Sequence, residues 1–135
     1  MVDDEDYAKV IKRTWHFEHG YARSSYPTYI YMHQLILGKS GTTDHINGNG
    51  LDNRRINLRK CTARQNSLNH GFNKNNTSGY KGVGWHKQVS KWRAYIEVNK
   101  KHISLGLFEN KKEAALAYNT AAKKHFGEFA KINTI

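Results

Sequence analysis

The sequence contains one cysteine and one proline in 135 residues. Cys61 has no partner for an internal disulfide and no four-cysteine zinc site can be built, so we expect a reducing compartment and no structural zinc. The longest unbroken apolar run, residues 114–118, is five residues long and far too short to span a membrane. Because the N-terminus is acidic where a signal peptide is basic, we expect a cytoplasmic protein that is neither secreted nor bound to a membrane.

Acidic residues are half as numerous as basic ones. The chain has 11 Asp and Glu against 22 Lys and Arg, which gives a net charge of +11. Four of the eleven acids lie within the first six residues, so the remainder is more basic still. This balance excludes an acidic solvating chain and indicates a polyanionic partner, of which nucleic acid is favoured.

Turn-forming residues separate two halves of the chain. Residues 69–79 contain a single apolar side chain, and we interpret residues 71–78 as a linker between a module at 1–70 and a module at 79–135. In the first module, residues 43–69 predict the order strand, long loop, strand, helix. Seven of the eleven residues from 47 to 57 are Asn, Asp or Gly, which favours a loop, while Thr62 and Gln65 form a capping box that starts the helix.

The second module predicts a three-stranded antiparallel sheet packed on one helix, so the fold class is α+β. Polar and apolar residues alternate strictly in residues 91–98 and 102–107, which is typical of a hairpin, and residues 80–86 supply a third strand. The alternation places Trp92 in the core and Ile103, Leu105 and Leu107 on the helix-facing side. Asn110 caps the helix and Gly127 ends it. The other face of the sheet is basic and aromatic.

The most specific pattern in the first module joins Asp44 and His45 to Asn57 and Asn66, which follow His45 by twelve and twenty-one positions. The run at residues 44–59 resembles the motif of the HNH homing endonucleases in their Asp-His-Asn form. Residues 65–67 resemble the closing helix of that family, and residues 31–35 resemble the segment before its motif. The resemblance implies a ββα-metal fold and a protein of the kind that phages carry, acting in the cytoplasm of the host cell.

By that resemblance His45 is the general base, Asp44 and Asn66 are metal ligands, and Asn57 braces the loop and orients the base. The chemistry agrees, because an ordinary histidine is mostly neutral at pH 7 and can accept a proton from water. A carboxylate and an amide oxygen suit Mg²⁺, with Mn²⁺ as the alternative. A calcium loop at residues 47–52 is disfavoured because no bidentate Glu follows. Adjacent strand residues point to opposite faces, so we expect His45 at the end of its strand.

Basic residues surround this motif. We expect them to hold phosphates, with a solvated rim as the structural alternative: they are Arg54, Arg55, Arg59, Lys60 and Arg64. His33 is interpreted as a packed histidine at a helix start, with a supporting role in the site as the alternative.

Residues 78–133 resemble the plant Apetala/ethylene-response-factor type of DNA-binding domain. The matching segments are residues 80–83, 91–96, 105–108, 113–118 and 126–133. The resemblance implies that the sheet enters the major groove with the helix behind it. The family usually has arginine where this chain has Gly84 and His86, so the plant target sequence is not carried over. From the resemblance and the free face together we expect these DNA contacts: Lys81, His86, Lys87, Lys91, Arg93, Tyr95 and His102.

These observations predict a metal-dependent endonuclease that nicks or breaks double-stranded DNA as a monomer or weak dimer. The first alternative is a non-catalytic DNA-binding regulator on an inactive nuclease scaffold, against which the intact motif argues. The second is an RNA-binding protein, for which the sequence has no stacking-module signature.

Overall fold

The computed structural model describes residues 1–71 and 75–135, and the chain divides into two compact units, Met1–Asn69 and His70–Ile135. The fold is α+β, and the strands of the described residues form three antiparallel sheets. Residues 72–74, which fall in the segment predicted as a linker, lie outside the described residues. No helix in the described part of the chain is long and apolar enough to cross a membrane.

The first unit begins with helix α1 (Asp4–Val10) and a small sheet of β1 (His16–Glu18), β2 (Tyr21–Ser24) and β3 (Ile30–Tyr31). Helix α2 (Met32–Leu37) leads to the hairpin of β4 (Thr42–His45) and β5 (Leu58–Cys61), and helix α3 (Ala63–Leu68) follows. A 3-10 turn at Arg55–Asn57 precedes β5. The core of the unit is formed by Val10, Met32, Ile36 and Leu58. The predicted order of strand, loop, strand and helix is confirmed.

The acidic N-terminal segment is part of this unit. Asp6 is completely buried, and its carboxylate accepts hydrogen bonds from Arg55 Nε at 2.7 Å and Nη2 at 2.8 Å. Asp3 accepts a further bond from the Arg55 backbone N–H at 2.7 Å. The Arg55 guanidinium lowers the pKa of Asp6 below the ordinary range of a carboxyl group. These bonds hold α1 against the turn that leads into β5.

The second unit is a sheet in the order β6 (Val83–His86), β7 (Lys91–Val98) and β8 (Lys101–Phe108), with helix α4 (Lys111–Phe126) across one face. Asn110 Oδ1 accepts the Lys112 N–H at 2.8 Å, so the predicted cap is confirmed. Small helix residues let α4 lie close to the sheet, and the buried residues of this core are Val83, Ala94, Ile96, Ala114, Ala115, Tyr118 and Ala122. Trp92 packs against the same core, as predicted.

A β-bulge interrupts the alternation in β8. Ala94 pairs with Gly106 but Tyr95 pairs with Ser104, so Leu105 is an extra residue on its strand. One extra residue reverses the facing of every side chain beyond it. The prediction that Leu107 faces the helix is therefore wrong: Leu107 lies opposite Arg93, on the other face, and is 49% exposed.

The C-terminal residues of the second unit are held to its first turn by amide side chains. Asn133 Oδ1 accepts the Lys81 N–H at 2.7 Å, and Asn133 Nδ2 donates to the Lys81 carbonyl at 3.0 Å. Asn119 on α4 exchanges two more bonds with the backbone of Asn133, at 2.7 and 2.8 Å. Four hydrogen bonds therefore join the first turn, the helix and the C-terminal segment.

Candidate active site and nucleic-acid interface

Asp44 lies near the end of β4 and is 3% exposed. It is the cross-strand partner of Arg59 on β5, so their side chains share one face of the hairpin. Arg59 places Nε 2.8 Å and Nη2 2.6 Å from Asp44 Oδ2. Asn69, which ends α3, donates from Nδ2 to Asp44 Oδ1 at 2.9 Å. Both carboxylate oxygens therefore have a donor from the chain.

His45 is the last residue of β4, where sequence reasoning expected it, and is 5% exposed. Its Nε2 lies 3.2 Å from Asn53 Oδ1, while Asn53 Nδ2 donates to the Gly50 carbonyl. An amide oxygen can only accept, so this contact places the ring hydrogen on Nε2. The lone pair of a neutral His45 is then on Nδ1, which makes Nδ1 the atom able to accept a proton.

Aromatic rings enclose the other sides of His45. The His45 ring centroid lies 5.6 Å from that of Tyr21 and 5.2 Å from that of His33. Burial, with smaller contributions from the nearby His45 and Lys60, lowers the pKa of His33 to about 4. His33 is therefore neutral at physiological pH.

The loop between β4 and β5 is held by its own side chains. Asn57 Oδ1 accepts the Asn47 N–H at 2.9 Å and Asn57 Nδ2 donates to the Asp52 carbonyl at 2.8 Å. Asn47 and Asn49 each accept the backbone N–H two residues onward, and Asn47 Nδ2 also donates to Asp52 Oδ2 at 3.0 Å. Asn57 thus joins the two ends of the loop; its effect on the base stays a prediction.

Three of the four arginines expected to hold phosphates are paired with buried carboxylates. Arg54 contacts Asp52 at 2.8 and 2.7 Å, Arg55 contacts Asp6, and Arg59 contacts Asp44. Arg64 is exposed on α3. The side chains of Arg54 and Arg55 remain partly accessible, so contact with phosphate stays a prediction for them.

The Asp44 carboxylate is a ligand that hard divalent ions prefer. The Arg59 guanidinium and the amide nitrogen of Asn69 contact it, and neither is an oxygen ligand. Asn66 is half-buried on α3, and the side chain that contacts Asp44 from this helix is that of Asn69. Sequence reasoning missed Asn53, Asn69 and the Arg59 contact. Asn69 follows Asn66 by three positions, a spacing that puts both on one helix face and could have identified it.

In the second unit the register gathers most of the predicted DNA contacts on the face opposite α4. Residues opposite each other in a sheet share a face, as do alternate residues of one strand. His86 pairs with Lys91 and Glu97 with His102, and Arg93 and Tyr95 follow Lys91 by two and four positions. The Arg93 guanidinium lies 5.4 Å from the Tyr95 ring centroid.

The two remaining predicted contacts lie outside these strands. Lys87 is exposed in the turn after β6, and Lys81 lies in the turn before β6, where burial lowers its pKa. Two carboxylates reduce the positive charge of this face, since Lys91 Nζ lies 2.8 Å from Glu109 and His102 Nε2 lies 3.5 Å from Glu97. Whether this face contacts DNA stays a prediction.

Comparison with known proteins identifies viral relatives, although no family model matches the chain. Protein 3.8 of Escherichia phage T7 is 35% identical over 88 residues, which are 65% of this chain and 72% of that protein. An uncharacterized HNH endonuclease of Acanthamoeba polyphaga mimivirus is 37% identical over 94 residues, which are 68% of this chain and 46% of that protein. The chain therefore spans about half the length of the mimivirus relative.

Proposed function

Since the chain belongs to the same family as Protein 3.8 of Escherichia phage T7 and is similar to a viral HNH endonuclease, we propose that it is a metal-dependent endonuclease of the HNH homing type that hydrolyses phosphodiester bonds in double-stranded DNA. The observation that carries the proposal is the state of His45. Its Nε2 is held by Asn53, its Nδ1 is left to accept a proton, and the Asp44 carboxylate is on the preceding residue.

His45 acts as the general base in this proposal. Nδ1 accepts a proton from a water molecule as the water oxygen attacks phosphorus, and Asn53 keeps the ring in the tautomer that can do so. Asn53 does not touch the reacting atoms and is a positioning residue. Asn57 keeps the loop that carries Asn53 closed on itself.

Asp44 and Asn66 are the proposed ligands of the ion, with Mg²⁺ preferred and Mn²⁺ as the alternative. When bound, the ion supplies stabilisation of the negative charge on the leaving oxygen. Arg59 donates twice to Asp44 Oδ2, whereas Asn69 donates once to Oδ1 and leaves that oxygen a second lone pair for an ion. The Arg59 guanidinium opposes binding of the ion by its positive charge. The four arginines and the free face of the second sheet would hold the DNA backbone and read its sequence, as in the Apetala-type domain that this unit resembles.

The ion pair between Asp44 and Arg59 favours one other function. A protein whose carboxylate stays paired with Arg59 would not take up an ion and would serve as a non-catalytic DNA-binding regulator. This alternative keeps double-stranded DNA as the partner and removes the reaction.

The experiment that tests the proposal is cleavage of supercoiled plasmid with Mg²⁺, with Mn²⁺ or with EDTA. The wild type is compared with His45→Ala and with His125→Ala, which removes an exposed histidine at the end of α4. We expect metal-dependent nicking or linearisation that His45→Ala abolishes and His125→Ala retains.

Two results would contradict the proposal. Binding of duplex DNA by all three proteins without cleavage with either ion would support the regulator. Equal cleavage by the wild type and His45→Ala would exclude His45 as the base.

A further inference from the structure

A connected series of rings leads from the surface of the first unit to His45. The Tyr29 and Tyr31 centroids are 5.6 Å apart, and the Tyr31 ring is parallel to that of His33 within 5°, at 5.5 Å. His33 in turn lies 5.2 Å from His45. Tyr21 closes the group, with its centroid within 6 Å of those of Tyr31, His33 and His45. The series begins at an exposed ring, because Tyr29 is 55% exposed.

A cavity of about 350 Å³ opens beside these rings. Tyr21, Tyr31 and His33 contribute aromatic side chains to its lining, and His19, Gln34 and Thr43 contribute polar groups. This volume is at the lower end of the range for sites that bind small organic groups. Planar groups are favoured here, since aromatic walls stack best on flat π-systems.

The lining is polar and contains no carboxylate. Among the described residues that form it there is also no lysine or arginine, so its basic groups are the imidazoles of His19 and His33, and His33 is neutral at physiological pH. A phosphate would therefore find no lysine or arginine as a counter-charge in the cavity, whereas a neutral group with hydrogen-bonding edges suits it.

Two polar atoms of this lining lack a partner in the described part of the chain. They are His33 Nδ1 and Thr43 Oγ1, both buried and both without a hydrogen bond. A buried polar atom without a partner costs free energy, so such atoms call for an explanation. Neither atom has appreciable accessible surface, so a ligand with donors and acceptors on its edge supplies the missing partners only when the side chains around them move to admit it.

We propose that this cavity, two of whose lining rings (Tyr21 and His33) pack against His45, binds one nucleobase of the DNA substrate, unstacked from the duplex beside the scissile phosphate. The proposal rests on the proposed function, because that function makes the group next to His45 a nucleotide. A base offers both requirements of the cavity, a flat π-face for Tyr31 and Tyr21 and a neutral hydrogen-bonding edge for His33 and Thr43. Removing a base from a duplex costs a few kcal/mol, and the cost is least for an unpaired base.

The test measures binding of the full-length chain to two duplexes of the same sequence in EDTA, where no cleavage occurs. One duplex is fully paired; the other carries an abasic site opposite a central adenine, which leaves that base unpaired. Stacking of one base on protein rings predicts about tenfold tighter binding of the second duplex.

Variants then test whether the preference for the duplex with the unpaired base comes from the cavity. We expect Tyr31→Ala to remove the preference and Tyr31→Phe, which keeps the ring, to retain it. Thr43→Val keeps the shape of the side chain and is expected to weaken the preference, and it tests the cavity independently should Tyr31→Ala fold poorly. Phe17→Ala removes an exposed aromatic ring that does not line the cavity and is the matched control.

Equal affinity of the wild type for the two duplexes would overturn the proposal, as would a full preference in Tyr31→Ala and Thr43→Val. These outcomes are separable from failure of the proposed function. A protein that cuts plasmid but binds both duplexes equally lacks only the base-binding cavity. A protein that prefers the unpaired base but never cuts lacks only the nuclease activity, and binding of neither duplex would overturn both.

Discussion

Arg59 binds Asp44 across the β4–β5 ladder through two nitrogens, Nε at 2.8 Å and Nη2 at 2.6 Å, both on the same carboxylate oxygen. The register of the hairpin makes the two residues direct partners. Without an ion, the guanidinium neutralises a carboxylate that burial would otherwise destabilise. Arg59 therefore occupies the position of a competing cation at the proposed metal ligand.

Replacing Arg59 should lower the stability of the ion-free protein and increase its response to Mg²⁺. Removal of one partner of a buried ion pair typically costs about 3–5 kcal/mol, because the other charge is left uncompensated. In Arg59→Gln we expect a loss at the lower end of this range and a larger rise of the unfolding temperature on addition of Mg²⁺ than in the wild type. Thermal unfolding with and without millimolar Mg²⁺ measures both effects.

Arg54→Gln is the matched control for this experiment. It breaks a comparable pair with the buried carboxylate of Asp52, which has no proposed ligand role. We expect it to lose stability without any added response to Mg²⁺. A response to Mg²⁺ in Arg59→Gln no larger than that of the wild type would show that the ion and Arg59 do not compete.

Substitution of Asn53 should impair the reaction without weakening the binding of DNA. Asn53→Leu keeps the size of the side chain but offers no acceptor to His45 Nε2, so the tautomer with a lone pair on Nδ1 is no longer favoured. We expect the cleavage rate to fall about 10²-fold. In Asn53→Asp the carboxylate favours the charged imidazole, so the midpoint of the rate against pH should move to higher pH. Initial rates across a pH series, with binding measured in EDTA, would reveal an unchanged midpoint if Asn53 has only a structural role.

The stability of the first unit should fall as the pH is lowered from 6.5 to about 4 because of His33. Its pKa is lowered from the ordinary 6.5 to about 4 in the folded chain, so between these values the unfolded chain binds more protons. The free energy of unfolding therefore decreases as the pH falls through this window, and the decrease is complete below about pH 4. We expect His33→Gln to show a shallower decline, measured by urea unfolding at several pH values. Parallel curves for the two proteins would contradict the prediction.

Asn133→Ala should destabilise the second unit. The substitution removes the donor and the acceptor that bind both backbone groups of Lys81. An unsatisfied buried or partly buried polar group costs about 1–3 kcal/mol, and we expect a loss of that size. Urea unfolding monitored by the fluorescence of Trp85 and Trp92 reports on this unit. Thr134→Ala, at the exposed neighbouring position, should leave the midpoint unchanged.

Local features of the fold were predictable from the sequence. Thr62 and Gln65 form the expected capping box, and Asn110 caps α4, because each cap depends only on residues two or three positions away. The hairpin of β7 and β8 was also predictable from its alternation. The face on which Leu107 lies was not predictable. A bulge depends on which residues pair across strands, and the alternation within one strand does not reveal it.

The candidate site was likewise predictable from the sequence only in part. The motif identified Asp44 and His45 as neighbours at a strand end, and their roles as ligand and base stay predictions. The contacts of Asp44 with Arg59 and Asn69 depend on tertiary structure, since these residues lie fifteen and twenty-five positions along the chain. The Asp6–Arg55 pair spans 49 positions, so nothing local in the acidic segment indicated that its charge is buried.

The self-bonded loop between β4 and β5 has a thermodynamic consequence for association. Its side chains fix the backbone around His45 through bonds that span two to ten residues. Ordering a residue costs about 1–2 kcal/mol in conformational entropy, and here that cost is incurred when the chain folds. A substrate therefore binds to a loop that is already ordered. The conformational entropy lost on association comes from the DNA and from the exposed side chains that bind it.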